Sequence, residues 1–264
     1  MATVDFYALV LRRAGVENDD HVLAVCAGTY DKTTLIEAGI RRAIISNVNF
    51  HDGVSEYAPY EWSFQDAENI TLPDESVDWA VVHAGLHHCA SPHRAMCEML
   101  RVARKGIVVI ESRDNLLMRA AVRFGLAAEY ELEPVALSEG QFGGYRNTHV
   151  PNFVYRWTER EVEKTVKSFQ PQRKPEISYF YQYKVPLERL SMSNNSTKRL
   201  IARAAATVTQ VFQTVLPRQG NLFGFVVHKK TELQPWFSEV NNDGYVLNKD
   251  YFRKLYTPEN FKKS

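Results

Sequence analysis

The sequence has few cysteines, no excess of charge of either sign and no long apolar run. Its 264 residues contain 32 Lys and Arg against 31 Asp and Glu, so the charge balance does not favour DNA, RNA or an acidic membrane as the main partner. Apolar runs such as 79–82 and 107–110 are strand-sized and fall far short of the ~20 residues that a membrane-spanning helix needs. We therefore expect no membrane span and no nucleic-acid partner.

The cysteines and the first residues indicate the compartment in which the protein works. The three cysteines, Cys26, Cys89 and Cys97, are odd in number and have no paired metal-ligand spacing. The first residues, MATVDFYALVLRR, lack a charged start, an apolar block and a cleavage site, which predicts that there is no signal peptide. A reducing cytoplasm suits this composition best, and we see no internal repeat or low-complexity block.

Seven apolar runs separated by helical patterns indicate the fold class. Continuous rather than alternating apolar character is typical of strands that are buried on both faces, as in parallel sheets. The pattern therefore predicts an α/β fold with a doubly wound, mostly parallel, seven-stranded sheet. The runs read HVLAVCAG, RAIISNV, YEWSFQDA, VDWAVVHAG, GIVVIES, PEISYFYQYKVPLERL and GNLFGFVVHK.

Helix-start chemistry places two of the helices. Ser91 as N-cap and Pro92 in the first turn precede an apolar stripe that extends from Ala95 to Ala103. Thr158 and Glu161 have capping-box spacing. The segment LLMRAAVRFGLAAEY is also helical in character, and a later apolar stripe extends from 200 to 215.

The sequence pattern also divides the chain into a main domain that contains an insertion, and an extension. We expect the main domain at 1–229, with an insertion at 113–157 inside it, and an extension at 230–264 that wraps over the surface. The insertion ends in a Gly-rich and aromatic stretch, GQFGGYRNTHVPNFVY. Such a segment either covers a site or is a long connection, and we interpret it as a lid or acceptor wall.

Three polar segments follow predicted strands. CAGTYDK follows the first strand, an Asp in QDAENITLPDESVD ends the third, and the His-rich turn HAGLHHC ends the fourth. In an open parallel sheet, ligands bind beyond the carboxyl ends of the strands, where the strand order reverses. We therefore expect these segments to converge on one crevice.

In this order, the segments resemble those of class I S-adenosylmethionine (SAM) dependent methyltransferases. The likeness is to the group whose third and fourth strands read DAE-x-LP and LHH, and it covers about Val22 to Ser112. It implies a Rossmann-like methyltransferase fold with SAM as cofactor. The expected reaction is methylation, on oxygen, of a small-molecule, sugar or surface-glycan acceptor.

The resemblance also implies which residues hold the cofactor. Asp66 would accept a hydrogen bond from the adenine amino group, and Asn49, or Asn47, stands where the family places an acidic residue on the ribose. An amide lacks the two-oxygen grip of a carboxylate. The full set of expected cofactor residues is Ala27, Gly28, Thr29, Asn49, Asp66, Ala67 and His83.

The glycine loop departs from the family pattern. Ala24 stands in place of an acidic residue, and Cys26 and Tyr30 stand in place of glycines, so only Gly28 remains. Gly28 would let the backbone approach the ligand, or it would simply turn the chain from strand to helix. Asp66 could likewise only cap a turn.

Histidines are the candidate catalytic groups. Methyl transfer requires alignment of the reactants, exclusion of water and, for a hydroxyl acceptor, removal of a proton, which suits an imidazole. The candidates are His88 and His87 in the strand-end turn and His149 in the insertion; each could instead bond backbone groups. The spacing beside Cys89 matches no closed metal site, so we expect no metal.

The insertion supplies candidate acceptor residues. Its mixture of aromatic and hydrogen-bonding groups suits a sugar or a phenol, and would equally suit a packed loop. The candidates are Tyr145, Arg146, Asn152, Tyr155 and Arg156.

Three other functions are alternatives to a SAM-dependent methyltransferase. A degenerate member could bind a partner without methyl transfer, because four expected cofactor residues are replaced. A nicotinamide-dependent oxidoreductase needs G-x-G-x-x-G, which CAGTYDK lacks, and an RNA methyltransferase would ordinarily show a basic face. Homo-oligomer formation is left open.

Overall fold

The computed structural model describes residues 5–49, 54–184, 211–229, 231–240 and 244–256. Most of the predicted late helical stripe at 200–215 lies outside the described residues, and residues 211–215 are helical. Among the residues described, no helix combines the length and the apolarity required to span a bilayer.

A seven-stranded sheet forms the centre of the molecule, with strand order β3-β2-β1-β4-β5-β9-β8. Strands β1 to β5 pair in parallel, whereas β9 is antiparallel to both β5 and β8. The predicted doubly wound, mostly parallel sheet is therefore confirmed. Its strands are β1 His21–Val25, β2 Arg42–Asn47, β3 Glu61–Phe64, β4 Val77–His83, β5 Ala103–Ser112, β8 Glu176–Gln182 and β9 Leu222–His228.

The strand order reverses at β1, which has β2 on one side and β4 on the other. Loops that leave the carboxyl ends of neighbouring parallel strands at such a point diverge and leave a crevice between them. The segments after Val25 and His83 therefore begin at the position where an open α/β sheet binds its ligands.

Helices cover both faces of the sheet. The two predicted caps form: Ser91 Oγ accepts a hydrogen bond from the Arg94 N–H, and Thr158 and Glu161 make the reciprocal capping box. Ala103, expected on the apolar stripe of the first of these helices, is the first residue of β5. The helices are α1 Phe6–Ala14, α2 Thr29–Glu37, α3 Pro92–Val102, α4 Leu116–Arg123, α5 Glu133–Leu137, α6 Glu159–Phe169 and α7 Lys249–Leu255.

Two apolar cores lie on opposite faces of the sheet. Side chains of α1 and α2 pack on one face, and side chains of α3 and α6 pack on the other. Strand β1 shows the alternation, because Val22 and Ala24 belong to the first core and Leu23 and Val25 to the second. Burial on both faces explains why the strands read as continuous apolar runs.

The insertion leaves and rejoins the sheet edge at adjacent positions. Arg113 and Trp157 form an isolated bridge, and the Asp114 N–H donates to the Trp157 carbonyl oxygen at 2.9 Å. Between these ends, β6 Tyr130–Glu131 pairs with β7 Asn152–Phe153 in an antiparallel ribbon. The insertion is thereby held over the carboxyl edge of the sheet.

The extension begins against the segment that follows α6. The Lys174 N–H donates to the Glu232 carbonyl oxygen at 2.8 Å, and the Gln234 N–H donates to the Gln172 carbonyl oxygen at 2.9 Å. Further on, β10 Phe237–Val240 and β11 Gly244–Leu247 form an antiparallel pair. The boundaries expected at 229 and 230 stay a prediction.

Gly106 provides a test of sheet packing. A Cβ at this position would collide with the Val227 carbonyl oxygen and lie 2.8 Å from Cζ3 of Trp79. Because the backbone of β9 cannot move without loss of pairing, Gly106→Ala should lower the free energy of unfolding by about 1–3 kcal/mol. Urea denaturation would measure this change in the free energy of unfolding.

Gly28→Ala is the matched control, because a Cβ there meets no atom within 4 Å and the residue has φ −134°. Its free energy of unfolding should fall less than that of Gly106→Ala, because the loss is limited to the preference for Gly over Ala at the N-cap of α2. Equal losses in the two variants would contradict the packing explanation.

Candidate functional site

A cavity of about 440 Å³ lies at the carboxyl edge of the sheet. Its volume falls within the range of about 300–1,000 Å³ that is common for small-molecule sites. Loops that follow β1, β2, β3 and β4 form one side, and the insertion covers the other. The described lining residues are Cys26, Asn47, Val48, Asn49, Asp66, Ala67, Glu68, Ala84, Gly85, His88, Cys89, Pro134, Phe142, Gly143, Gly144, Arg146 and Asn147.

The glycine loop keeps its shape although Cys26 replaces a glycine. Cys26 has φ +52°, a left-handed conformation that favours glycine. A Cβ on Gly85 would lie only 2.5 Å from the Cβ of Cys26. The side chain at position 26 is therefore accommodated because its neighbour across the crevice has none.

Tyr30, which replaces another glycine, turns away from the cavity. Its hydroxyl donates to the Asp5 carboxylate at 2.5 Å, and its ring centroid lies 4.9 Å from that of His83. The His83 ring in turn stacks on Tyr7 of α1 at 5.4 Å. Neither Tyr30 nor His83 is among the described lining residues, so both belong to the packing of α1 and α2 against β4.

Asp31 and Asn47 hold the loop in place. The Asp31 carboxylate accepts the Gly28 N–H at 2.9 Å, and burial raises the pKa of Asp31 to about 6. Asn47 Nδ2 donates to the Ala27 carbonyl oxygen at 3.2 Å, and its Oδ1 accepts the Val48 N–H at 2.7 Å. The Asn47 amide is therefore engaged by the backbone of the two loops, while Asn49 lies beside it on the lining.

The DAE segment links the third-strand loop to the histidine turn. Asp66 and Ala67 line the cavity, and Asp66 Oδ1 accepts the Glu68 N–H at 2.9 Å. The buried Glu68 carboxylate accepts the N–H groups of Ala90 and Ser91, each at 2.9 Å. The motif thus orients Asp66 at the cavity and fixes the start of α3 with the same turn.

Two carboxylates hold the histidine turn. Glu111, at the end of β5, is 1% exposed; its Oε1 accepts the Leu86 N–H at 2.7 Å, and its Oε2 lies 2.8 Å from His87 Nδ1. Glu131 of β6 lies on the opposite side, with Oε2 at 3.1 Å from His87 Nε2 and 3.5 Å from His88 Nε2. His87 is therefore bound through both ring nitrogens, and only His88 lines the cavity.

This arrangement gives the two histidines different protonation states. Burial favours the neutral form of His87, but the carboxylates of Glu111 and Glu131 outweigh it and raise the pKa to about 10. The pKa of His88 is lowered by its burial and by the neighbouring His87 charge. At neutral pH, His87 is an imidazolium and His88 is a neutral ring that can accept a proton.

His87, His88 and Glu131 also offer three donor atoms within 4.8 Å of one another, a group that could hold a metal ion. A proton shared by His87 Nε2 and Glu131, however, already satisfies both groups at 3.1 Å. The expectation of no metal stays a prediction.

The insertion places its predicted residues in different environments. Arg146 lines the cavity, with Nη2 at 3.4 Å from Asp66 Oδ2. Asn152 Nδ2 donates to the His87 carbonyl oxygen, the Tyr155 hydroxyl to Glu161, and Arg156 Nη2 to the Ala128 carbonyl oxygen.

Other expected site residues also lie off the described lining. Tyr145 and His149 are exposed, and Ala27, Gly28 and Thr29 follow Cys26 in the chain but are not among the lining residues. The roles expected of these residues stay predictions.

Sequence reasoning did not identify Glu111 and Glu131. Glu111 ends the fifth apolar run, GIVVIES, so its place at the edge that binds ligands was a usable signal. Glu131 carries no such signal, because it lies 44 positions from His87 in an insertion without a regular pattern.

Nuclear magnetic resonance of the histidine rings tests these protonation states. We expect His87 to stay protonated through neutral pH, with its midpoint near 10, and His88 to titrate below the ordinary value of about 6.5. His87→Gln and His88→Gln would assign the signals. Two rings that both titrate near 6.5 would contradict the described pairing.

Residues 15–110, less than half of the chain, match the model of a methyltransferase domain family. No curated protein sequence matches the chain. Several solved structures share the fold of this chain at low sequence identity.

The candidate methyltransferase in complex with the Haloferax volcanii Trm112 methyltransferase activator is 12% identical, with TM-score 0.53 over 85% of this chain and 90% of that one. The YcgJ protein of Bacillus subtilis is 13% identical, with TM-score 0.51 over 86% and 98%. A candidate methyltransferase of Bacillus halodurans C-125 is 13% identical, with TM-score 0.50 over 86% and 99%.

These likenesses concern the fold, and the family match concerns residues 15–110. The domain covers β1 to β5 up to Ile110, and so includes the glycine loop, the DAE segment and the histidine turn that form one side of the cavity. Residues 15–110 thus form a methyltransferase domain.

Proposed function

We propose that the protein transfers the methyl group of SAM to a hydroxyl of a small-molecule, sugar or surface-glycan acceptor, with His88 as the base. The observation that carries the proposal is the neutral His88 ring on the same cavity that Cys26 of the glycine loop and Asp66 of the DAE segment line, all within the methyltransferase domain. A hydroxyl must lose a proton as it is methylated, and a neutral imidazole is suited to take it.

The cavity has features that fit the cofactor. Cys26 of the glycine loop lines it together with Asp66 and Ala67 of the DAE segment. Asp66 and Asn49 both line the cavity, where the Asp66 carboxylate would accept a hydrogen bond from the adenine amino group and the Asn49 amide would contact the ribose. When bound, SAM supplies a methyl group already activated on a sulfonium, whose sulfur keeps the bonding electrons.

The residues of the chain then have separate tasks. Cys26 and Gly85 line the cavity side by side, with the Cys26 side chain packed against Gly85, and the insertion covers the cavity and excludes water. His88 accepts the proton that the acceptor hydroxyl loses, and His87, already protonated, cannot take this role. His149 stays a candidate by sequence only.

The acceptor side of the site rests on the insertion, at 113–157. Arg146 contributes a charged, hydrogen-bonding side chain to the lining, which suits a polar acceptor such as a sugar. Tyr145, Asn152, Tyr155 and Arg156 stay proposed contributors, either directly or through the shape of the ribbon. We further propose a cytoplasmic location and the division at 1–229 and 230–264.

A second candidate is a binding module that has lost methyl transfer. The replacements at Ala24, Cys26, Tyr30 and Asn49 support it. The orientation of Tyr30 toward Asp5, away from the cavity, weakens it, because this replacement leaves the cofactor space open.

Binding of SAM to an Asp66 variant tests the cofactor site. Asp66→Asn keeps an oxygen for the Glu68 N–H but removes the charge, so the SAM dissociation constant should rise about tenfold to a hundredfold. Asp74→Asn, at an exposed carboxylate paired with Arg101, should bind like the wild type. Isothermal titration with SAM, its demethylated product and NADH would measure these affinities. Absence of SAM binding at millimolar concentration would favour the binding-module alternative.

Turnover of histidine variants tests the base. His88→Ala should lose about 10²–10⁴-fold in kcat and keep its SAM affinity, while His149→Ala should keep both. Transfer of a labelled methyl group to nucleotide sugars and phenols would be the assay. Unchanged turnover in His88→Ala would remove His88 as the base.

A further inference from the structure

The insertion contacts His87 of the histidine turn at two points, the backbone carbonyl and the ring. In the β6–β7 ribbon, Glu131 pairs directly with Asn152. Asn152, 1% exposed, donates its side-chain N–H to the His87 carbonyl oxygen at 3.3 Å, while Glu131 approaches the His87 ring at 3.1 Å. The ribbon therefore fixes both the backbone and the ring of His87.

Glu131 is also the carboxylate that the two histidines share. Its Oε2 lies 3.1 Å from His87 Nε2 and 3.5 Å from His88 Nε2, and the two rings lie 4.6 Å apart between centroids. Glu111 does not reach His88 in the same way, because its oxygens are taken by the Leu86 N–H and His87 Nδ1.

The surroundings of His88 suit its protonated form. Nδ1 faces the Gly144 carbonyl oxygen at 3.4 Å, and Nε2 faces the Glu131 carboxylate at 3.5 Å. Both neighbours only accept hydrogen bonds, and a neutral imidazole has a single N–H to donate. The imidazolium has two, so proton uptake by His88 satisfies both contacts and they can tighten.

Three charged side chains near His88 determine whether a protonated His88 ring is stable. His87 adds a positive charge from the same turn, Glu111 a negative charge from β5, and Glu131 a negative charge from β6. Glu111 and His87 compensate each other across 2.8 Å. Glu131 therefore provides the charge that offsets a second imidazolium at His88.

We propose that Glu131 is a positioning residue for methyl transfer, which supplies from the insertion the negative charge that His88 requires when it takes the acceptor proton. This role rests on the proposed function, in which His88 is the base. Through Glu131, the insertion takes part in proton transfer as well as forming a wall of the cavity. His88 has this negative charge beside it only when the β6–β7 ribbon is in place.

Glu131→Gln tests the role with two measurements on the full chain. Ring titration by nuclear magnetic resonance should show the pKa of His88 about one unit lower than in the wild type, with His87 still protonated at neutral pH through Glu111. The pH profile of kcat should move its acid limb to lower pH by the same amount, and its plateau should fall about tenfold, because the base is weaker.

Two further variants serve as controls. Glu129→Gln changes an exposed carboxylate of the same insertion and should match the wild type in both measurements. Glu131→Asp keeps the charge, so the pKa of His88 should stay closer to the wild-type value than in Glu131→Gln. If Glu131→Gln fails to fold, Glu131→Ala serves as the neutral variant, and a lower kcat with an unmoved acid limb in that variant would indicate a merely structural role.

Several results would overturn the proposal. One is an unchanged His88 titration in Glu131→Gln, and another is a lower plateau with an unmoved acid limb. Zinc bound at one equivalent in the wild type and lost in Glu131→Gln would replace it with a metal site. A wild type that binds SAM but methylates no acceptor would refute the proposed function itself, and this failure is distinguishable because the ring titration does not depend on turnover.

Discussion

A buried carboxylate at the end of β5 is the constraint on which the rest of the site depends. Glu111 is 1% exposed, and a buried charge is costly unless it is paired and hydrogen-bonded. Both requirements are met by the turn after β4, through the Leu86 N–H and the His87 ring. Glu111 therefore raises the pKa of His87 together with Glu131, and the charge on His87 adds to burial in lowering the pKa of His88.

The departures of the cofactor loop from the family pattern also have physical explanations. Cys26 adopts a conformation that favours glycine, and the missing side chain of Gly85 makes room for it. Tyr30 directs its hydroxyl to Asp5 at the start of α1, so a large residue stands at a glycine position without occupying the cavity. The loop is altered in sequence, but the space it borders remains.

The fold could be predicted because its signals are local. Runs of strand length and the caps at Ser91 and Thr158 are encoded by neighbouring residues, and seven strands and both capped helices agree with them. The grouping of Asp66, Asn49 and His88 at one edge followed from the direction of parallel strands. The helix boundary near Ala103 was wrong because β5 begins directly after α3, with no turn residue to mark the change.

The electrostatic part of the site could not be predicted in the same way. His87 meets Glu111 across 24 positions and Glu131 across 44, and no local pattern encodes such pairs. The insertion shows the same limit: Arg146 reaches the cavity, while Asn152, Tyr155 and Arg156 bond to the protein. Residue type alone does not distinguish a lining side chain from one that holds a ribbon.

A crystal structure of the protein with S-adenosylhomocysteine would test the central claim most directly. The ligand should occupy the cavity beneath the insertion, with its adenine against Asp66 and Ala67 and its sulfur toward the turn that carries His88. A ligand bound at another place, or an empty cavity at saturating concentration, would contradict the assignment of this cavity as the cofactor site.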